Sequence, residues 1–448
     1  MSQQLSDLTA ALLEAARRAG AQDADAIAVQ GASLSIDLAG GKLEKAERQE
    51  TTDIGLRVLL GAKQACVSSS DTSANTITEM AERAVFMARE APDDAHIGLA
   101  EASQLAKQRD HSALDLNDPA ADPAPADLQE AAQTAYDAAM AVEGITQVEA
   151  ASGYLGRTSV HLAATNGFEG GYAKSIHALS AVAIAGTGTG MERDYAGEQR
   201  THRSDLPDAA GIGALAGQRA VSMHGARKPA TGTYPVLFDE RIAASLIGHL
   251  VQAANGTAIA RGSSWLSNSL GKQVLPSALT LTENPHKHRA YGSRLFDAEG
   301  LPTTPRDVIA DGVLTGWTLD LATARKLGMQ STANAGRSVS SAPSPGLTNL
   351  TLSQGSASRA DLIRDMGTGL LVTSMIGSTI NPNTGDYSRG ASGFWVENGE
   401  IQYPVNECTI AGNLLDMLLR IVPANDARTH LSRVVPSLLI DGMSLAGS

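Results

Sequence analysis

Short glycine turns set between alternating apolar positions constrain this chain more than any other feature. In LSIDLAGGKLEKAERQ, Leu34, Ile36 and Leu38 alternate with other residues, Gly40-Gly41 reverses the chain, and an apolar position returns at Leu43. Alternation is the two-residue period of a half-buried strand, and paired glycines supply the positive φ of a tight hairpin. IGLRVLLGAKQACVSSS repeats the device with Gly61 at the reversal, so residues 25–70 read as an antiparallel meander. In SVHLAATNGFEGGY, Asn166-Gly167 separates two β-like runs and signals another hairpin.

Helical periodicity frames these strands. Leu5, Leu8, Ala11, Leu12 and Ala15 share one face of a helix over residues 5–19. Further helices are predicted at about 74–90, stopping before Pro92, at 126–143 and near 208–226. Between them, residues 93–125 are polar and rich in Asp, Ala and Pro (LNDPAADPAPADLQE), the composition of a connector. Beyond RKPATG the chain shows short strands, many Gly, Ser, Asn and Pro turns, and helices only at 240–254, 318–327, 359–366 and 411–421. The expected fold class is α+β, with an N-terminal antiparallel sheet with helices and a C-terminal β-rich domain with a few embedded helices. The expected units are an N-terminal α/β subdomain at 1–92, the connector at 93–125, a central α+β subdomain at 126–227 and a C-terminal β-rich domain at 228–448. Length agrees, since 448 residues suit two or three domains. Aromatics are only 4% of residues, so the cores must be built from Ala, Leu, Ile and Val. No internal repeat of fixed period is seen.

Charge and composition exclude several classes. The balance of 35 Lys+Arg against 48 Asp+Glu gives −13 with no basic block, which disfavours a nucleic-acid partner because such binding rests on neutralising phosphates. MSQQLSDLTAALLEAARRAGA reads as an amphipathic helix and not as a secretory leader. No apolar run approaches the roughly 18 residues of a membrane span. Cys66 and Cys408 lie far apart without a CxxC neighbour, as expected of reduced thiols in a cytoplasmic protein. The glycines of GTGTG at 186–190 lack the order of a phosphate loop, and Met191 stands where a dinucleotide fingerprint needs Gly, so a hairpin turn is expected.

The candidates for chemistry are few. Ser392 in RGASGF lacks the nucleophile-elbow pattern and is read as part of a structural turn, followed by a hairpin in FWVENGEIQYPV. Cys408 has no nearby His and is expected to be a buried small residue. In NPHKHRAYG, His286 and His288 would share one face of a strand and could begin a metal site, but no third ligand is in view. FDERIAASLIGHLVQAANG reads as a strand end, Asp239 as helix cap, and a helix with Ile242, Leu246, His249, Leu250 and Ala253 on one stripe. Zinc hydrolysis needs two or more neutral imidazoles, a further ligand and a general base. Only His249 is present, so it is expected to be a hydrogen-bonded packing histidine.

SPGLTNLTLSQG, GLLVTSMIGSTINPNTGDYSRGASGFWVENGEIQYPV, TIAGNLLDML and PSLLIDGMSLAG, with GTYPVLFDE, LFDAEGLPT, TARKLG and the N-terminal SSSDTS, resemble the TldD/PmbA family, and specifically its PmbA (TldE) branch. The resemblance covers nearly the whole chain. It implies one subunit of a heterodimeric cytoplasmic metalloprotease whose TldD partner carries zinc in an HExxxH motif. With RGSSW at Arg261 laid on the family's Arg-Gly segment, the motif's first His falls on Gly248, its Glu on His249 and its last His on Ala253. Gly248 and Ala253 carry no donor atoms, and an imidazole at 249 cannot replace a carboxylate general base in that geometry. The PmbA branch departs in this way generally. The resemblance therefore implies no catalytic or metal-binding residue and no cofactor in this chain, and a role in binding or guiding unfolded peptides to the zinc of the TldD-type subunit. It further implies degradation of a labile antitoxin and trimming of a modified peptide antibiotic precursor. Asn381, Asn383, Asp386, Ser388 and Arg389 in GSTINPNTGDYSRGASG suit either a peptide-binding loop or an ordinary surface loop. Homodimers are left open. The alternatives are a regulatory protein-binding factor acting on gyrase or an RNA regulator, and an independent hydrolase using His286 and His288.

Overall fold

The computed structural model describes residues 3–447. Helix α1 (Gln3–Ala19) leads into strands β1 (Asp23–Ala39), β2 (Lys42–Leu60) and β3 (Lys63–Ser69), then α2 (Ala74–Glu90). Helix α3 (Pro125–Met140) leads into β4 (Ile145–Ala164), β5 (Glu169–Ala185) and β6 (Glu192–Arg200), then α4 (Ala209–Ser222). The same order of helix, three strands and helix occurs twice, a duplication of topology that the sequence does not display as a repeat. All six strands form one antiparallel sheet, ordered β3-β2-β1-β4-β5-β6, and the two units meet where Ile27 pairs with Leu162.

The reversals fall at the predicted glycines. Gly40, Gly41, Gly61 and Gly167 all take positive φ. Leu5 and Leu12 of α1 and Met80 and Val85 of α2 pack on Ile54, Leu56 and Val58 of β2. Alanines dominate the other end, where Ala135 of α3 and Ala216 and Ala220 of α4 meet Ala181 and Ala183 of β5. The connector runs against the second half of the chain, with Ala106 N donating to Gly300 O at 2.9 Å and Arg289 N to Leu114 O at 2.9 Å.

The second half is the expected β-rich part. Strands β7 (Gly232–Phe238), β14 (Gly369–Ile380), β15 (Asp386–Glu397), β16 (Glu400–Asn413), β17 (Val422–Pro423) and β19 (Leu438–Ala446) form a sheet ordered β16-β15-β14-β7-β19-β17. An additional pairing of Thr409–Ala411 with Ser444–Ala446 joins β16 to β19 and closes five of these strands into a ring. A second sheet, ordered β10-β9-β8-β13-β18, holds β8 (Leu281–Glu283), β9 (Arg306–Ala310), β10 (Val313–Leu314), β13 (Leu350–Leu352) and β18 (Arg433–Val434). A two-stranded piece pairs β11 (Ala335–Gly336) with β12 (Ser344–Pro345). The embedded helices are α5 (Glu240–Ala253), α6 (Gly256–Ala260), α7 (Leu321–Leu327), α8 (Arg359–Met366) and α9 (Leu414–Leu418). The last is shorter than the predicted 411–421, because β16 continues to Asn413, whose Oδ1 caps α9 by accepting from Leu415 N at 3.1 Å. Ser392 lies inside β15 opposite Ser374, and not in a turn. Among the described residues no helix is long and apolar enough to cross a membrane.

The seam around the connector holds a buried imidazole with a pH consequence. His177 on β5 is 3% exposed. It sits 3.3 Å from the Asp118 carboxylate, yet neither ring nitrogen is aligned for a hydrogen bond. Asp118 already accepts from Ala120 N and Arg203 N, each at 2.9 Å. Burial holds the His177 pKa below its ordinary 6.5, against the pull of Asp118. A depressed imidazole stabilises the folded chain above the unfolded value, and that contribution is lost as pH falls below 6.5 through the folded value. The stability of the native chain relative to a His177→Gln variant should therefore shrink between pH 7.5 and pH 5.5, as urea unfolding at the two pH values would show. A constant difference would mean that His177 does not titrate with unfolding.

Candidate functional site

Helix α5 begins as its sequence predicts. Asp239 Oδ1 accepts from Arg241 N at 3.1 Å, a capping contact that satisfies a free helix-terminal donor. Ala243, Leu246, Ile247, Leu250 and Ala253 are buried against Val236 and Phe238 of β7, Leu370 and Val372 of β14 and Tyr387 of β15. The edge of that stripe is not covered. Two open clefts of about 520 Å³ and 490 Å³ share His249, Gln252 and Asn255, and so form one groove along α5. One end is walled by Arg261, Ser263, Trp265, Ile380 and Pro382. The other is walled by Ser245, Gly248, Thr318, Leu347 and Arg433.

All three motif-equivalent positions, Gly248, His249 and Ala253, line this groove. His249 packs edge-on to Tyr387, with ring centroids 6.0 Å apart. It is not the hydrogen-bonded residue expected, because its buried Nε2 has no partner among the described residues. The reason is position, since it stands at the margin of the apolar stripe, facing the groove. Burial lowers its pKa, and the charge of Arg389 lowers it further, so the ring is neutral at pH 7. A side chain added at Gly248 would bring its Cβ within 3.5 Å of Arg433 Nη1. Among the described residues no carboxylate lines either cleft. Among the described residues no three His, Cys, Asp or Glu side chains converge as a metal site requires. One imidazole facing guanidinium groups is a poor donor set for zinc, and the residues present do not fit the ion.

The other candidates are dispersed. His286 and His288 lie in turns and not on a strand; His286 Nε2 meets Thr303 Oγ1 at 3.1 Å, while exposed His288 is 3.7 Å from Asp115. Cys408 is buried as expected, with its thiol donating to Ala391 O at 3.1 Å and its pKa pushed up to about 11 by desolvation. Gly186 and Gly188 of GTGTG take positive φ in the turn between β5 and β6.

The expected loop around Asn381 is a hairpin between β14 and β15, and only residues 381–385 lie outside strands. Its polar groups serve the turn. Asn381 Oδ1 accepts from Asn383 N at 2.9 Å, Asp386 accepts from Thr384 Oγ1 at 2.6 Å, and Arg389 Nε donates to Gly377 O at 2.7 Å. Neither these residues nor Ser388 line the groove, which Ile380 and Pro382 reach instead. The hairpin is tied to the Arg261 segment by Trp265 N donating to Pro382 O at 2.8 Å. Gln252, Asn255 and Arg433 escape the sequence reading, and Arg261 and Trp265 enter it only as the segment that places the family motif. Of these, only Asn255 carried a local signal, as a cap before Gly256.

Comparison with known proteins agrees along the chain. Family models described as PmbA/TldA metallopeptidase domain 1, central domain and C-terminal domain match residues 24–88, 115–223 and 231–447. Metalloprotease PmbA of Escherichia coli O157:H7 is 38% identical over 431 residues, covering 96% of this chain and 93% of that protein. The Metalloprotease PmbA homolog of Haemophilus influenzae is 34% identical, covering 100% and 97%. A Bacteroides thetaiotaomicron crystal structure, named for modulation of DNA gyrase, superposes with a TM-score of 0.91 at 27% identity and covers 100% of both chains. TldE from Thermococcus kodakarensis, at 18% identity, shares the fold with a TM-score of 0.85 over 98% of this chain and 100% of that one. With matches of this extent in all three domains, the chain belongs to the PmbA/TldA metallopeptidase family.

Proposed function

We propose that this chain is the noncatalytic, TldE-type subunit of a cytoplasmic TldD/TldE metalloprotease, and that it binds or guides unfolded peptides for hydrolysis at zinc in the TldD-type subunit. One observation carries the reading. The groove that runs past the motif-equivalent positions is open and large enough for a length of chain, yet it offers a single imidazole and no carboxylate. It keeps a shape suited to substrate while lacking the parts that activate water.

The test is reconstitution. This chain alone should hold no stoichiometric zinc and hydrolyse no unfolded peptide. Mixed with the TldD-type protein of the same cell, it should form a stable complex, and hydrolysis should depend on both chains. Zinc bound at one equivalent with self-sufficient activity would end the proposal, and so would a TldD-type protein that works equally well alone.

A further inference from the structure

We infer that the groove along α5 is a receptor for carboxylate groups, in which Arg261 and Arg433, at its two ends with His249 between, hold an anionic end or side chain of an extended peptide. The inference rests on the proposal that peptide enters this groove and names the feature that is recognised there.

The charge distribution supports it first. The chain carries a formal −13 overall, but the side chains lining the groove include two arginines and a histidine and no acid. Several arginines elsewhere are taken up by the fold. Arg57, Arg241, Arg289, Arg306 and Arg428 each meet a carboxylate. The side chains of Arg261 and Arg433 are exposed and make no hydrogen bond or ion pair with any described residue. A guanidinium presents parallel N–H donors that match the two oxygens of a carboxylate, which is why unpaired arginines in a cleft are suited to that ligand.

His249 supplies an independent observation. The residue lines both clefts, and its buried Nε2, just beneath that lining, has no partner among the described residues. An orphaned buried polar atom costs stability unless something outside the chain satisfies it. A carboxylate oxygen would accept from the Nε2–H tautomer. Gly248 leaves the neighbouring surface open, with Arg433 Nη1 lying over it. The cleft volumes of about 520 Å³ and 490 Å³ exceed what a lone small anion fills, so the anion is carried on a chain. It is either a C-terminal carboxylate or an Asp or Glu side chain.

Calorimetry on the full chain separates these cases with three acetylated octapeptides of Gly, Ser and Ala: the free acid, its C-terminal amide, and an amide containing one Glu. The free acid should bind about tenfold more tightly than the plain amide, the gain of a charge-assisted contact, and the preference should weaken with salt. If the Glu-containing amide recovers the lost affinity, side chains are a source of the carboxylate. Arg261→Gln or Arg433→Gln, whichever lies at the end that holds the carboxylate, should remove most of the preference, and the double substitution should abolish it, while the melting temperature stays unchanged because both residues are exposed. Equal affinities for all three peptides, binding of none, or a preference that survives both substitutions would overturn the carboxylate receptor. None of those results touches the dependence of hydrolysis on both chains, which tests the subunit assignment separately.

Discussion

Asp25→Ala is expected to destabilise the folded chain by about 3–5 kcal/mol, because it strands two buried cations in the seam between the first sheet and the second half. Asp25 lies at the start of β1. Arg57 Nε of β2 donates to its Oδ2 at 2.7 Å, and Arg337, just beyond β11, contacts its Oδ1. The three side chains are only 9%, 5% and 1% exposed. Arg337 already has Nε and Nη2 buried without a partner, so nothing nearby can take over when the carboxylate goes. Glu299 is another acid whose charge reaches Arg57, but burial, reinforced by the charge of Asp297, raises its pKa well above the usual carboxylate value. The backbones are equally close here. A Cβ on Gly55 of β2 would lie 2.0 Å from Val339 O, so the two surfaces have no room to adjust. Urea unfolding should show the loss as a lower midpoint, whereas Glu14→Ala, at an exposed pair with Arg17 and Arg18, should leave the midpoint almost unchanged. A small loss at Asp25 would mean that water enters the seam and solvates the arginines.

Local chemistry explains which parts of this arrangement could be read from residues alone. Gly40-Gly41 and Gly167 reverse strands because those positions need positive φ, and they do so where the pattern places them. Asp239 announces α5 because a carboxylate before an apolar-periodic run caps free N–H groups. Nonlocal pairing is different. No residue near Ile27 signals that it faces Leu162, so the fusion of two helix-strand units into one sheet was illegible. Gly393 misled for a related reason. The small residues of RGASGF around it resembled a turn, but the segment is a strand in which only glycine fits, because a Cβ there would come 1.9 Å from Leu371 O. The groove shows the same division. Its α5 floor was legible through the helix period and the family resemblance, whereas Arg433 reaches it from the far end of the chain. The polar residues around Asn381 had the right chemistry for peptide binding, but their nearest acceptors and donors are within their own hairpin.

Gln252→Trp should lower hydrolysis of unfolded peptides by the two-chain complex at least tenfold without weakening its assembly. Gln252 borders both clefts, is exposed, and makes no side-chain hydrogen bond with any described residue, so its replacement leaves the α5 core of Leu246, Ile247 and Leu250 in place. Surface changes of this kind usually alter stability by less than about 0.5 kcal/mol, so the melting temperature should hold. An indole at this position projects into the part of the groove common to both ends and would obstruct a chain lying across it. The kinetic form of the loss carries the information. If this subunit only presents peptide, the defect should appear as a raised KM that saturating peptide largely overcomes, because ground-state binding has been removed and the chemical step in the other chain is untouched. A fall in kcat at unchanged KM would instead place groove residues close to the reacting bond. Unaltered turnover, with the tryptophan confirmed in a folded complex, would mean that substrate reaches zinc by another path and that this groove has no part in proteolysis.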